Sequence, residues 1–179
     1  MARPFYILSL NTGNLIETTG TGLAIAGLFL ANGVREPTSN LIVLVALWVC
    51  LWYFPHCLVH FIVGRIGGIA FTHYVVGKSA LVKFRLPYLT KLLSYLPVLG
   101  IRTERSSLSR STPKVRKLMF QSGAYASMLL PNLTVLDSLI YSAPTTSALL
   151  ILMSVVNVAV TLYYSPRAGD MWRSGISYP

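Results

Sequence analysis

Acidic residues are scarce in this chain: five Asp and Glu stand against fifteen Lys and Arg in 179 residues. Charged residues of both signs make up only 11% of it, where an ordinary soluble domain carries about 25%. That deficit excludes a conventional water-exposed surface. Cysteine is also rare. Cys50 and Cys57 fall in one apolar run, where two helical turns put them on the same face of one helix, and they cannot bridge each other without breaking it. No disulfide framework is therefore needed. The chain has no glycine-rich phosphate loop with its lysine, no nucleophile elbow, no paired cysteine metal knuckle and no internal repeat.

What is present is apolar: 54% of the residues are hydrophobic. A bilayer-spanning helix needs about 20 largely apolar residues, and four segments approach this, at 18–34, 41–63, 118–141 and 147–164. The first is short and rich in glycine, and the stretch from Gly20 has small residues suited to close helix packing. The third contains Pro131, Asn132 and Asp137. The expected fold is an all-α integral membrane protein of about four transmembrane helices, one membrane domain over residues 1–179, with a long basic loop at 65–117 that has room for a short β-strand and an amphipathic segment.

Eleven of the fifteen basic residues lie between Arg65 and Lys117. A basic balance of this size raises nucleic acid as a partner, but confinement to one loop between spans is the pattern of topology. The loop and the C-terminal tail, with Arg167 and Arg173, are expected on the cytoplasmic side of the cell membrane, and no nucleic acid is expected as a partner. Within the loop, residues 86–101 read as an amphipathic or re-entrant piece at the membrane surface. Residues 102–118 read as a solvated loop, with Pro113 in the first turn of the next helix.

Ionisable groups inside a span are costly and become functional candidates. His56 and His60 project from the same face of the second span, one turn apart, the spacing with which two imidazoles grip one metal ion. Pro55 beside them removes a helical hydrogen bond and bends the helix. Two half-buried histidines bonded to backbone carbonyls or water would account for the same pair.

The residues around them, HCLVHFIVGRIGGIAFTHYVVGKS from His56 to Ser79, resemble the core helix and following turn of the site-2 protease family of intramembrane zinc metalloproteases. There an H-E-x-x-H helix is followed by a basic residue, a glycine-containing turn, a short strand and another glycine. Arg65, Gly67 or Gly68, the run Ile69 to Val76, and Gly77 stand in that order. FQSGAYASMLL from Phe120 is similar to the family's next helix, with Gly123 matching its A-G-P-x-x-N glycine. NVAVTLYYSPRAGDMWR from Asn157 is similar to the N-x-x-P-x-x-P-L-D-G segment that supplies the third ligand, with Asn157, Pro166 and Asp170 in the corresponding places.

The resemblance implies a zinc site of His56, His60 and Asp170. Topology agrees with that choice of aspartate, because the spans carry Asp170 to the same side as the histidines and Asp137 to the other. The family's general base, the glutamate after the first histidine, is replaced by Cys57, and no Glu or Asp lies within the second span. No catalytic residue and no ordinary peptidase activity are therefore expected. The adjacent Cys57 should turn about 100° from His56. The resulting expectation is a metal-binding pseudoprotease that acts by holding a partner helix or another membrane protein, as an oligomer or complex subunit in the lipid bilayer. The alternatives are a small accessory subunit of a larger membrane enzyme complex, and an active intramembrane metallohydrolase with an unusual base.

Overall fold

The computed structural model describes residues 5–78 and 97–174. A short strand β1 (Tyr6–Leu8) leads into α1 (Leu10–Ala31), which Ser9 caps by accepting the Thr12 amide at 3.1 Å. Then come α2 (Pro37–Tyr53) and α3 (Pro55–Ile66), strands β2 (Phe71–Lys78) and β3 (Pro97–Thr103), and helices α4 (Arg105–Arg110), α5 (Pro113–Leu129), α6 (Asn132–Tyr141), α7 (Pro144–Ala168) and α8 (Asp170–Ser174). At the start of α2 the Glu36 carboxylate accepts the amides of Thr38 and Ser39. Hydrogen bonds from Ser39 and Thr38 hold that exposed carboxyl down at about 2.

Among the described residues, three helices are long and apolar enough to cross a membrane: Leu10–Ala31, Pro37–Ile66 and Pro144–Arg173, of 22, 30 and 30 residues. At about 1.5 Å per residue even the shortest matches a hydrocarbon layer of about 30 Å. The first differs from the segment read at 18–34: it begins earlier, at Leu10, and so takes Glu17 into its interior. The segment at 118–141 does not form one long helix. It is divided between α5 and α6 at Leu130 and Pro131, and neither part is among the three.

Pro131 causes that division by a simple route. Its missing N–H leaves the Ser127 carbonyl without the usual partner four residues on, and the Nδ2 of Asn157 on α7 donates to that oxygen at 2.8 Å. Both residues at the junction keep helical dihedrals, so the chain bends there without turning back. Similar bonds tie the other helices: Trp48 Nε1 donates to Ser154 Oγ at 3.0 Å between α2 and α7, and Ser142 Oγ donates to Asn40 Oδ1 at 2.7 Å between the α6 end and α2. With apolar surroundings, such bonds and close packing hold the bundle. At Gly20 an added methyl group would come within 2.5 Å of the Phe54 ring, which is why α1 approaches the α2–α3 junction through its smallest residues.

The chain is mostly helical as expected, but the one short strand expected in the basic loop is joined by two others. Three strands form an antiparallel sheet in the order β1-β2-β3, with Tyr6 opposite Val76 and Val75 opposite Gly100. The strand read at Ile69 to Val76 is present as β2. The amphipathic piece read at 86–101 ends as strand, since Pro97–Thr103 pairs along β2, while residues 86–96 of it lie outside the described residues. The stretch read as a solvated loop contains α4, and Pro113 opens α5 as expected behind the Thr112 cap. Gly68, at φ 78°, makes the turn from α3 to β2 that an L side chain would resist.

Buried apolar side chains gather in clusters on both sides of α3: Ile69, Phe71, Leu108, Met119 and Phe120 on one, Cys57, Tyr74 and Leu99 on the other. Outward faces carry exposed Leu23, Phe29, Leu30, Leu152 and Val155, the surface of a protein whose surroundings are apolar. Replacing Asn157 by Leu leaves the buried Ser127 carbonyl without a donor and should cost about 1–3 kcal/mol, read as a lowered unfolding midpoint in detergent; an unchanged midpoint would show that this bond does not fasten α5 to α7.

Candidate metal centre

Three side chains converge where α3, α5 and α8 meet. His56 Nε2 lies 3.0 Å and His60 Nε2 3.4 Å from the same oxygen, Asp170 Oδ2. The three ligand atoms lie within 4.8 Å of one another. His60 is buried, whereas His56 and Asp170 keep side-chain exposures of 31% and 21%. The site is thus enclosed at one imidazole and open at the other.

Each imidazole is oriented from behind. The Ser127 hydroxyl donates its hydrogen to the Trp52 carbonyl at 2.8 Å, so it can only accept from His56 Nδ1, 2.9 Å away. His60 Nδ1 meets the Met119 carbonyl, which also can only accept. Both Nδ1 atoms therefore donate, and both Nε2 atoms are left facing one carboxylate oxygen. A cation between the three, or a proton on each Nε2, satisfies that oxygen. Histidine ligands held through Nδ1 in this way are the usual supporting arrangement of protein metal sites.

Gly123 makes the arrangement sterically feasible. A methyl group there would overlap the His60 ring and stand 2.7 Å from the His56 carbonyl. Asp170 arrives through a second device: α7 stops at Gly169, and Ser165 Oγ accepts the Met171 amide at 3.1 Å, which starts α8 with Asp170 as its first residue. Arg173 Nη1 stands 3.5 Å from the other carboxylate oxygen.

The remaining residues singled out in the sequence lie elsewhere. Cys57 is buried on another face of α3, its thiol donating to the Leu99 carbonyl at 3.3 Å, and it is not part of the converging group. Asp137 sits near the other end of the bundle, where Asn32 Nδ2 donates to it at 3.0 Å. His73, on β2, bonds to Thr72 Oγ1 at 2.9 Å.

Glu17 is a carboxyl with no counterpart among the residues singled out from the sequence. It is fully buried, against the Cys57 end of α3 and beside β2. Tyr74 Oη lies 2.7 Å from Asn14 Oδ1 and 3.3 Å from Glu17 Oε2, so its one hydrogen serves the two unequally, and among the described residues Glu17 Oε1 has no hydrogen-bond partner. Burial, with the nearby Glu17 carboxyl, pushes the Tyr74 phenol far up. A signal for Ser127 exists in the sequence, because Ser127 lies four residues after Gly123 and so on the same helical face. For Glu17 there is no comparable pattern, since its position depends on how α1 packs.

Comparison of the chain with protein-family models, with curated proteins and with solved structures found no match. The geometry itself predicts that Gly123→Ala forces His60 out of place and costs about 1–3 kcal/mol from overpacking. The change should shift the His60 ring signals in NMR and lower the unfolding midpoint, whereas unchanged His60 signals would show that α5 has room to move away.

Proposed function

We propose that this chain is a membrane-embedded metal-binding protein of the site-2 protease type, in which His56, His60 and Asp170 hold a zinc ion and the peptidase reaction has been lost. The observation that carries the reading is the convergence of three side chains from distant parts of the chain on one point. With both Nδ1 atoms bonded to Ser127 and Met119, the two Nε2 atoms are turned toward the same carboxylate oxygen. The two separations to Asp170, 3.0 and 3.4 Å, are near the edge of a ligand tetrahedron, roughly 3.3 Å for metal–ligand bonds of about 2.0 Å, and all three atoms lie within 4.8 Å of one another. A cation between them would draw the three together.

Zinc bound there would act as a Lewis acid on whatever filled its remaining position, a water molecule or a donor atom from a partner. The chain's own residues restrict the chemistry further. His56 and His60 are fixed as ligands by their Nδ1 bonds, and Arg173 steadies Asp170. The place next to His56 holds a thiol bonded to Leu99, not a carboxylate that takes up and returns a proton. The function consistent with this set is recognition: a metal-stiffened junction of α3, α5 and α8 that engages a membrane partner.

The same reading places four crossings in the bilayer, with α5 and α6 together making the third despite their bend. The end that carries the site and the basic residues then faces the cytoplasm. The order of the family's motifs along the chain supports this, as does the presence of Gly123 and Asp170 at the positions the family uses for close packing and for the third ligand.

Metal analysis of the detergent-purified protein is the deciding experiment. About one zinc per chain, lost in His56→Ala/His60→Ala, is the expected result, and Ser127→Ala should weaken the metal about 10- to 100-fold because His56 loses its orienting acceptor. Unmutated protein that takes up no divalent metal from excess would overturn the proposal.

A further inference from the structure

We propose that the end of the bundle formed by the close of α3, by α4 and by the start of α5 is a binding surface for anionic phospholipid headgroups. Arg65, Arg105, Arg110, Lys114 and Lys117 are all exposed there. None of the five makes an ion pair among the described residues. Glu104, the acid nearest them in the chain, accepts from Ser106 at 2.8 Å.

The cations are held together by the fold. Gly67 packs directly on the Val115 side chain, which brings Arg65 beside the first turn of α5 with Lys114 and Lys117. Arg116 donates to the Leu108 and Ser111 carbonyls at 3.2 and 2.7 Å, which pins α4 with Arg105 and Arg110 against the same turn. Five like charges gathered in this way repel one another unless an anion lies between them.

Two adjacent side chains identify the anion's class. Ile66, directly after Arg65, is 84% exposed, and Leu118, directly after Lys117, is 52% exposed. Each pair places a cation next to an unburied aliphatic group, the first at the end of the candidate span Pro37–Ile66 and the second near the start of α5. A phospholipid satisfies both members of the pair, the phosphate by the cation and the acyl chain by the aliphatic group. A nucleic acid or an acidic peptide would leave Ile66 and Leu118 in water. Each basic residue near an anionic membrane surface adds to the attraction, so the cluster discriminates headgroup charge strongly. This inference does not depend on a metal at the histidines.

The test uses the full chain in detergent, titrated with phosphatidylglycerol or phosphatidylcholine and followed by retained lipid in native mass spectrometry and by the unfolding midpoint. Phosphatidylglycerol should bind at least about tenfold more tightly than phosphatidylcholine, and Lys114→Glu/Lys117→Glu should remove the preference while Lys114→Arg/Lys117→Arg keeps it. Both positions are exposed, and an unchanged midpoint without lipid establishes that the variants fold. Equal affinity for the two lipids, an unchanged preference in the Glu variant, or a short oligonucleotide displacing phosphatidylglycerol from the patch would overturn the proposal.

Discussion

Ser127 ties four helices together, and the site depends on how its three polar valences are used. Its hydroxyl hydrogen goes to the Trp52 carbonyl at the α2 end, its oxygen faces His56 on α3, and its own carbonyl takes Asn157 from α7. In an apolar surrounding none of these groups has water as an alternative partner. The carbonyl is free only because Pro131, four residues later, has no N–H. A proline that interrupts a helix thus provides the attachment for the next one.

The approach of α3 to α5 is the second constraint, and it is steric. Gly123 leaves the space that the His60 ring fills, with Met119 one turn earlier supplying the carbonyl that orients it. Both histidines are then fixed from behind by groups on a single helix, at Met119 and Ser127 on either side of Gly123, while the aspartate comes from a short helix started afresh after Gly169. Side chains from elements so far apart in the chain hold their geometry only if the intervening packing is rigid. The small residues of α1, which let it lie against Phe54 and Tyr74, contribute to that rigidity from the opposite side.

The same region separates two carboxyl groups by role. Asp170 is partly exposed, with two histidines and an arginine about it. Glu17 is sealed among Tyr74, Asn14 and Cys57 with an oxygen left over. Cys57 stands between the two surroundings, bonded to a strand. The sheet therefore packs against the Cys57 face of α3 and contributes no side chain to the His56, His60 and Asp170 group.

Helices long and apolar enough to cross a membrane and the histidine pair with its spacing were legible in the sequence, because each is a property of one helix; Asp170, which lies beside the pair, was named on a count of four crossings, of which the described residues supply three candidate helices. The proline at 131 was visible, but its outcome was not: whether a bend or a continued span results depends on which side chain reaches the freed carbonyl, and Asn157 is distant from it in sequence. The strand Tyr6–Leu8 left no signal, being three residues held by pairing with Val76 to Tyr74 and by Leu8 packing against the Cys57, Tyr74 and Leu99 cluster. Glu17 fell just outside the apolar run that reads as a span. Composition and local spacing determined that the chain is helical, suited to a membrane and equipped with two imidazoles on one face. Tertiary packing decided which atoms face the gap between them, because hydrogen-bond direction at Ser127 and Met119, and the room at Gly123, are set by neighbours that no local pattern names.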